Sequence, residues 1–169
     1  RANDSISPDL SFDYGYADDY HEITYKNYNE YTGVIELAHE IQPDIIISAA
    51  AVSDYTVDKT EGKISSNDDE LVIRLKKARK ILPEFKTVCP NALVVGFKLL
   101  VSPKAKEIYA AVQKVLDNGA DLVVFNDLTR IRQSDNTRYI FDKQLKSTKA
   151  QSSRILIDKI IKQYESILK

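Results

Sequence analysis

Three short runs of mostly β-branched residues constrain this chain more than any other feature. They are Ile45-Ile46-Ile47, Leu93-Val94-Val95 and Leu122-Val123-Val124-Phe125. A continuous apolar run of this length, bounded by polar or small residues, suits a strand covered on both faces, as in a parallel sheet. Between the second and third runs lies the clearest helix pattern, with Ala105, Ile108, Val112, Val115 and Leu116 on one face. Ser102 reads as its N-cap, Pro103 as its first helical residue and Gly119 as its stop. Strand and helix alternating at this spacing predict an α/β fold with a mainly parallel sheet.

The other segments fill out this frame. Residues 1–20 read as irregular, and 21–25 as a short strand. Six of the ten tyrosines fall between Tyr14 and Tyr31, where a surface strand or an interface patch would use them. Residues 30–41 read as a helix with Val34, Leu37, Ala38 and Ile41 on one face, ended by Pro43. Residues 71–75 are expected to pair with Lys63-Ile64-Ser65 as a hairpin, followed by a basic helix over 77–87. A further strand is expected over 138–142, at a sheet edge. The last helix is expected over 150–168, with Ile157, Ile160, Ile161, Tyr164 and Leu168 inward.

Composition removes several classes of function. The 169 residues, 43% of them hydrophobic, suit one ordinary domain. Lys+Arg is 24 and Asp+Glu is 25, for a net charge of -1, so no global basic field holds nucleic acid or an anionic membrane. No apolar run approaches the ~20 residues of a membrane span. Cys89 is the one cysteine, which excludes an internal disulfide framework and any multi-cysteine metal site; a reducing, cytoplasmic setting is the default. His21 and His39 have no convincing partners, and no metal-ligand set is read. The glycines, at positions 15, 33, 62, 96 and 119, are too scattered for a dinucleotide fingerprint or a P-loop. The chain holds no Met and starts at Arg1, which reads as a piece of a longer protein or a list with residues missing.

Parallel sheets place ligands beyond the carboxyl ends of their strands. The first run delivers Ala49, Ala50, Ser53 and Asp54 to that edge. The second delivers Gly96, Phe97 and Lys98, and the third Asn126 and Asp127. Small residues admit a ligand to the backbone, an aromatic can stack on a base, and carboxylates can hold a hydroxyl or a metal. The run Arg74, Lys76, Lys77, Arg79 and Lys80 can surround a triphosphate or be plainly solvated.

Four segments in order carry a resemblance. These are Ala49-Ala50-Ala51-Val52-Ser53-Asp54-Tyr55, Gly62-Lys63-Ile64-Ser65-Ser66, Gly96-Phe97-Lys98-Leu99-Leu100 and Ala120-Asp121-Leu122-Val123-Val124-Phe125-Asn126-Asp127. Together they resemble the phosphopantothenate–cysteine ligase (phosphopantothenoylcysteine synthetase) family over residues 21–168. The third segment is closest to its single-function members. The resemblance implies a three-layer Rossmann-like fold with a flap hairpin. It also implies a single α/β ligase-like domain over 1–169 that lacks the family's N-terminal glycine-rich strand-loop-helix.

The resemblance further implies roles for individual residues. Lys63, on the flap, would be the catalytic cation on the phosphates and the activated carboxylate. Ala50, Asp54, Lys80, Ile81, Phe97, Lys114 and Asn118 would bind nucleotide, with Asn118 standing where many bacterial members carry Lys. Asn126 and Asp127 would bind substrate. The implied reaction is a step of coenzyme A biosynthesis. The carboxylate of 4′-phosphopantothenate attacks the α-phosphate of CTP or ATP with Mg²⁺ present, pyrophosphate leaves, and the amine of cysteine attacks the acyl-nucleotidylate. Such chemistry needs cations on the transferring phosphates and an enclosure against water. A homodimer is also implied, with residues 138–148 contributing. The competing expectation is a non-catalytic nucleotide-binding or dimerisation half of a family relative. A dehydrogenase-like fragment is disfavoured by the missing fingerprint.

Overall fold

The computed structural model describes residues 23–57, 62 and 69–168. Its elements, in chain order, are α1 (Tyr28–Thr32), α2 (Val34–Ile41), β1 (Ile45–Ser48), β2 (Tyr55–Val57), β3 (Leu75–Lys77), α3 (Leu82–Val88), β4 (Leu93–Leu100), α4 (Ala105–Asp117), β5 (Leu122–Asp127), α5 (Leu128–Arg132), β6 (Arg138–Phe141), β7 (Ser147–Ala150) and α6 (Ser153–Ile167). The main sheet runs β1-β4-β5-β6-β7. β1, β4 and β5 are parallel, and β6 and β7 add on antiparallel. The expectation of a mainly parallel α/β sheet therefore holds. The calls on residues 1–22 and on Lys63-Ile64-Ser65 lie outside the described residues.

Helices cover both faces, because each strand alternates its side chains. Val94 packs with α1, α2 and α3 through Tyr31, Ile35, Ala38, Ile81 and Phe85. On the same face, Val123 and Phe125 meet Val112 of α4. Leu93, Val95, Leu122, Val124 and Ile140 face the other way, against Leu156 and Ile160 of α6. Val94, Val95, Val123 and Val124 are wholly inaccessible to solvent. Two of the three apolar runs are thus covered on both faces, as their sequence predicts. The first is not. Among the described residues β1 pairs with β4 alone, and Ile47, level with Val95 on the α6-facing side, stays 42% exposed.

Other expectations shift for identifiable reasons. The helix over 30–41 is interrupted at Gly33, and its buried residues are Tyr31, Ile35 and Ala38 while Ile41 is exposed. The helix read over 77–87 begins only at Leu82. Pro83 belongs in a first turn, where its missing N–H costs nothing, so residues 77–81 are left to a strand and a loop. Ser102 does not cap α4. Its N–H donates to Asp127 Oδ1 at 3.2 Å and its φ is 45°, while Glu107 reaches back to the Lys104 N–H at 2.8 Å at the observed start. β6 is internal to the sheet. The edge is β7, whose Ser-Thr-Lys-Ala sequence carries no apolar alternation. In α6 the inward stripe is Leu156, Ile160 and Tyr164, while Ile157, Ile161 and Leu168 are exposed.

One carboxylate ties three of these elements together. Asp121 accepts the Val94 N–H at 2.9 Å and pairs with Lys86 of α3 at 2.6 Å and with Lys143 of the β6–β7 turn at 2.7 Å. Burial raises the Asp121 pKa, but bonding to Lys143, Lys86 and the Val94 N–H outweighs it, leaving the carboxyl below its usual range. A group depressed on folding stabilises fully above its unfolded pKa and loses that contribution as pH falls through the folded value. Asp121→Asn is therefore expected to cost about 2 kcal/mol at neutral pH, in the range of hydrogen bonds to charged groups. Urea midpoints of variant and parent should converge as pH drops below about 3.9, the ordinary Asp value.

Candidate functional site

The carboxyl ends of β1, β4 and β5 open into a cavity of about 700 Å³. Its floor is Ser48-Ala49-Ala50-Ala51, whose small side chains leave the backbone accessible. One wall is the approach to α3, from Arg79 to Leu82, and the other is α4 with Ala111, Lys114, Val115 and Asn118. That second wall stands close because of Gly96. A Cβ there would lie 2.6 Å from Val115 Cγ1, and 3.4 Å from Ala120 Cβ and Leu82 Cδ2.

The cavity brings together most of the residues singled out from sequence. Ala50, Asp54, Lys80, Ile81, Phe97, Lys114, Asn118 and Asn126 all border it. Phe97 does so at a strand position whose ring packs with the α6-facing cluster of Leu93, Val95 and Val124. Asn118 donates its amide to the Lys114 carbonyl at the end of α4. Asp127 is not among the lining residues. It caps α5 by accepting the Thr129 N–H at 2.9 Å, besides the bond to Ser102. Lys63 lies outside the described residues.

Electrostatics at the rim are organised around Asp54. Its carboxylate is ion-paired and hydrogen-bonded to Lys80, 26 residues away in sequence. That hydrogen bond first, then the charge of Lys80, and more weakly those of Lys114 and Lys98, hold the Asp54 carboxyl below its usual range against a small desolvation effect. Arg79 is paired separately with Glu84, and its carbonyl accepts the Tyr28 hydroxyl at 2.6 Å. Asn126 Oδ1 is buried with no hydrogen-bond partner among the described residues. A buried acceptor without a donor is costly, and here it borders a cavity that a ligand's donor can enter.

A two-stranded ribbon rises from the same rim. β2 follows Asp54 directly and pairs antiparallel with β3, Tyr55 opposite Lys77 and Val57 opposite Leu75. The Ala78 N–H to Asp54 carbonyl bond, 2.9 Å, continues this ladder to the cavity. Among the described residues the ribbon pairs 55–57 with 75–77, and 71–74 carry no strand; the expected partner Lys63-Ile64-Ser65 lies outside the described residues. Contacts at Asp54, Ala78 and Lys80 anchor the ribbon at its root.

Three of the lining residues were given no site role from sequence. Tyr31, read as part of a surface patch, is 8% exposed and borders the cavity. Burial pushes its hydroxyl pKa up, against a smaller opposing effect of Ser48. Helical spacing from Tyr31 to Ile35 and Ala38 was the signal available. Val115 was read as core alone. Lys98 was placed at the strand end but not in the site, although it shares strand parity with Gly96.

Residues 31–165 match the DNA/pantothenate metabolism flavoprotein C-terminal domain family. The chain belongs to this family. It is 34% identical over 138 residues to the coenzyme A biosynthesis bifunctional protein CoaBC of Methanocaldococcus jannaschii, covering 76% of this chain and 34% of that protein. The protein of the same name from Thermococcus kodakarensis is 36% identical over 95 residues, covering 55% and 23%. The chain thus spans about a third or less of the length of these curated relatives. The crystal structure of the DNA/pantothenate metabolism flavoprotein from Streptococcus pneumoniae gives a TM-score of 0.69 at 25% identity, covering 87% of this chain and 72% of that one. A Cab2 mutant in complex with phosphopantothenate-cysteine gives 0.70 at 19% identity, covering 85% and 52%, a likeness of fold. The Rossmann-like architecture expected from sequence is the architecture of this family.

The close approach at Gly96 is directly testable. Val115 is β-branched and has little rotamer freedom in a helix, so a methyl group at position 96 forces α4 off the sheet. Gly96→Ala is expected to destabilise by about 1–3 kcal/mol, the usual cost of overpacking, read as a lower urea midpoint with an unchanged slope.

Proposed function

We propose that this chain is the nucleotide-dependent ligase part of a coenzyme A biosynthesis enzyme, joining the carboxylate of 4′-phosphopantothenate to the amine of cysteine. The observation that carries the reading is the cavity itself. It lies at the parallel strand ends, is rimmed by Lys80, Lys98 and Lys114 around Asp54, and has the unpartnered Asn126 oxygen at its edge. Family membership supplies the reaction class.

A carboxylate does not condense with an amine in water at neutral pH without activation. In the proposed course the substrate carboxylate attacks the α-phosphorus of CTP or ATP. A carbon–oxygen–phosphorus linkage forms, the α–β phosphoanhydride bond breaks, and pyrophosphate leaves. The cysteine amine then attacks the acyl carbon, forming the amide, and the nucleoside monophosphate departs as a proton is lost from nitrogen. Lysines on the cavity walls would stabilise negative charge as it shifts onto the leaving pyrophosphate. The ribbon of β2 and β3, with Lys63 in its connection, would close over the intermediate and keep water away. Asn126 would orient a substrate donor.

Among the described residues no group of three or more His, Cys, Asp and Glu is placed to hold a metal. Among the described residues Asp54 is the one carboxylate that borders the cavity, which fits Mg²⁺ carried mainly by the triphosphate, as such ions commonly are. Bound there, the ion would neutralise charge on the phosphates. No helix among the described residues is long and apolar enough to cross a membrane. A cytoplasmic homodimer remains part of the proposal.

A second reading, nucleotide binding without chemistry, is favoured by one observation: the Asn118 amide is turned back onto the Lys114 carbonyl and brings no cation to the cavity. One assay separates the two. The full-length protein is given 4′-phosphopantothenate, Mg²⁺ and CTP or ATP, with and without cysteine. The ligase releases pyrophosphate in both cases and forms phosphopantothenoylcysteine only with cysteine, whereas binding without pyrophosphate release overturns the ligase reading. In the active protein, Lys114→Gln is expected to raise the nucleotide KM roughly tenfold, the loss of one charge-assisted contact.

A further inference from the structure

Lys98 has no role in the motif reading, yet the fold puts it in the cavity. It is the fourth residue after Val94 on β4, on the same face as Gly96, where α3 and α4 form the cavity walls. Gly96 beneath it is sealed by Val115, Ala120 and Leu82, so the Lys98 side chain extends over a closed floor toward the open end. Its strand neighbour Phe97 faces the opposite layer.

The charges of the cavity do not cancel. Asp54 is taken by Lys80, and Arg79 by Glu84. The side-chain ammonium groups of Lys98 and Lys114 have no hydrogen bond or ion pair to any described residue, and both residues border the same cavity. Asp54, on the same lining, feels both of their charges at longer range. Two cations with no paired counter-charge among the described residues, in one concave site, repel each other and attract a polyanion. Lysine is suited to this as a compact point charge on a flexible stem.

We propose that Lys98 is a phosphate-binding residue of this site, acting opposite Lys114 so that the polyphosphate chain of a nucleoside triphosphate is held between β4 and α4. The inference deepens the ligase reading and rests on it for the identity of the nucleotide. It rests on the geometry alone for the phosphate.

The test uses inorganic pyrophosphate as the probe, then CTP and ATP, with the full-length protein and isothermal titration calorimetry. Lys98→Gln is expected to weaken pyrophosphate and triphosphate binding about tenfold, and Lys98→Arg to restore it to within about threefold, because the charge is what binds. The control Lys106→Gln, on exposed α4 surface away from the lining, should bind as the parent does. Circular dichroism melting of each variant separates a lost contact from a lost fold. The proposal is overturned if Lys98→Gln binds pyrophosphate like the parent, or if Lys98→Arg is as weak as Lys98→Gln. It is equally overturned if the parent itself binds no pyrophosphate. Pyrophosphate binding that depends on Lys98, in a protein that forms no phosphopantothenoylcysteine, would uphold the phosphate site and remove the ligase reading.

Discussion

The packing of α4 onto β4 at Gly96 is the contact on which the rest of the site depends. Without a side chain at position 96, Val115 descends to the strand, and the helix axis is held closer than any larger residue allows. That approach sets the height of the cavity wall. It brings Lys114, the neighbour of Val115, to a cavity that Lys98, two residues beyond Gly96, also lines. Ala120 completes the seal, and from there the chain enters β5. A single position without a side chain thus sets how closely the α4 wall of the cavity stands to the sheet.

The second constraint is electrostatic and spans the molecule. Asp121 gathers α3, β4 and the β6–β7 turn below the sheet's carboxyl edge. Asp54 gathers the root of the ribbon and the approach to α3 at that edge. The two carboxylates differ in setting. Asp121 is largely enclosed and satisfied on both oxygens, a structural clasp. Asp54 is solvent-exposed and shares its surroundings with three lysines, an arrangement that can be reorganised when a polyanion arrives. Burial separates the two roles, since a half-buried charge must be fully partnered while an exposed one can exchange partners at little cost.

Much of the fold was legible in the chain. The Val94-Val95 and Val123-Val124 pairs are apolar on successive residues, as suits a strand covered on both faces, and both proved inaccessible to solvent. The α4 stripe through Val112 and Val115 was equally plain. β7 was not legible, because Ser147-Thr148-Lys149-Ala150 buries only its last residue and owes its strand conformation to pairing with β6. The start of α4 was misplaced because Ser102 is held by Asp127, 25 residues away. Exposure of Ile47 escaped detection for a related reason: an apolar triplet does not reveal how many neighbours its strand will have.

What the sequence by itself determined is the set of buried strands and helices and, through four ordered segments, the family. Side-chain pattern governs burial, and burial governs the elements. The tertiary structure decided that Gly96 and Lys98 share the β4 face that meets α3 and α4, while the Phe97 ring packs with the α6-facing cluster. It also decided that Lys80 answers Asp54, that Asp127 caps a helix, and that the ribbon is anchored at its root. Each of these is a contact between residues distant in the chain or a consequence of which layer covers which side of the sheet. Local periodicity carries no information about either until the strands are ordered and the helices laid across them.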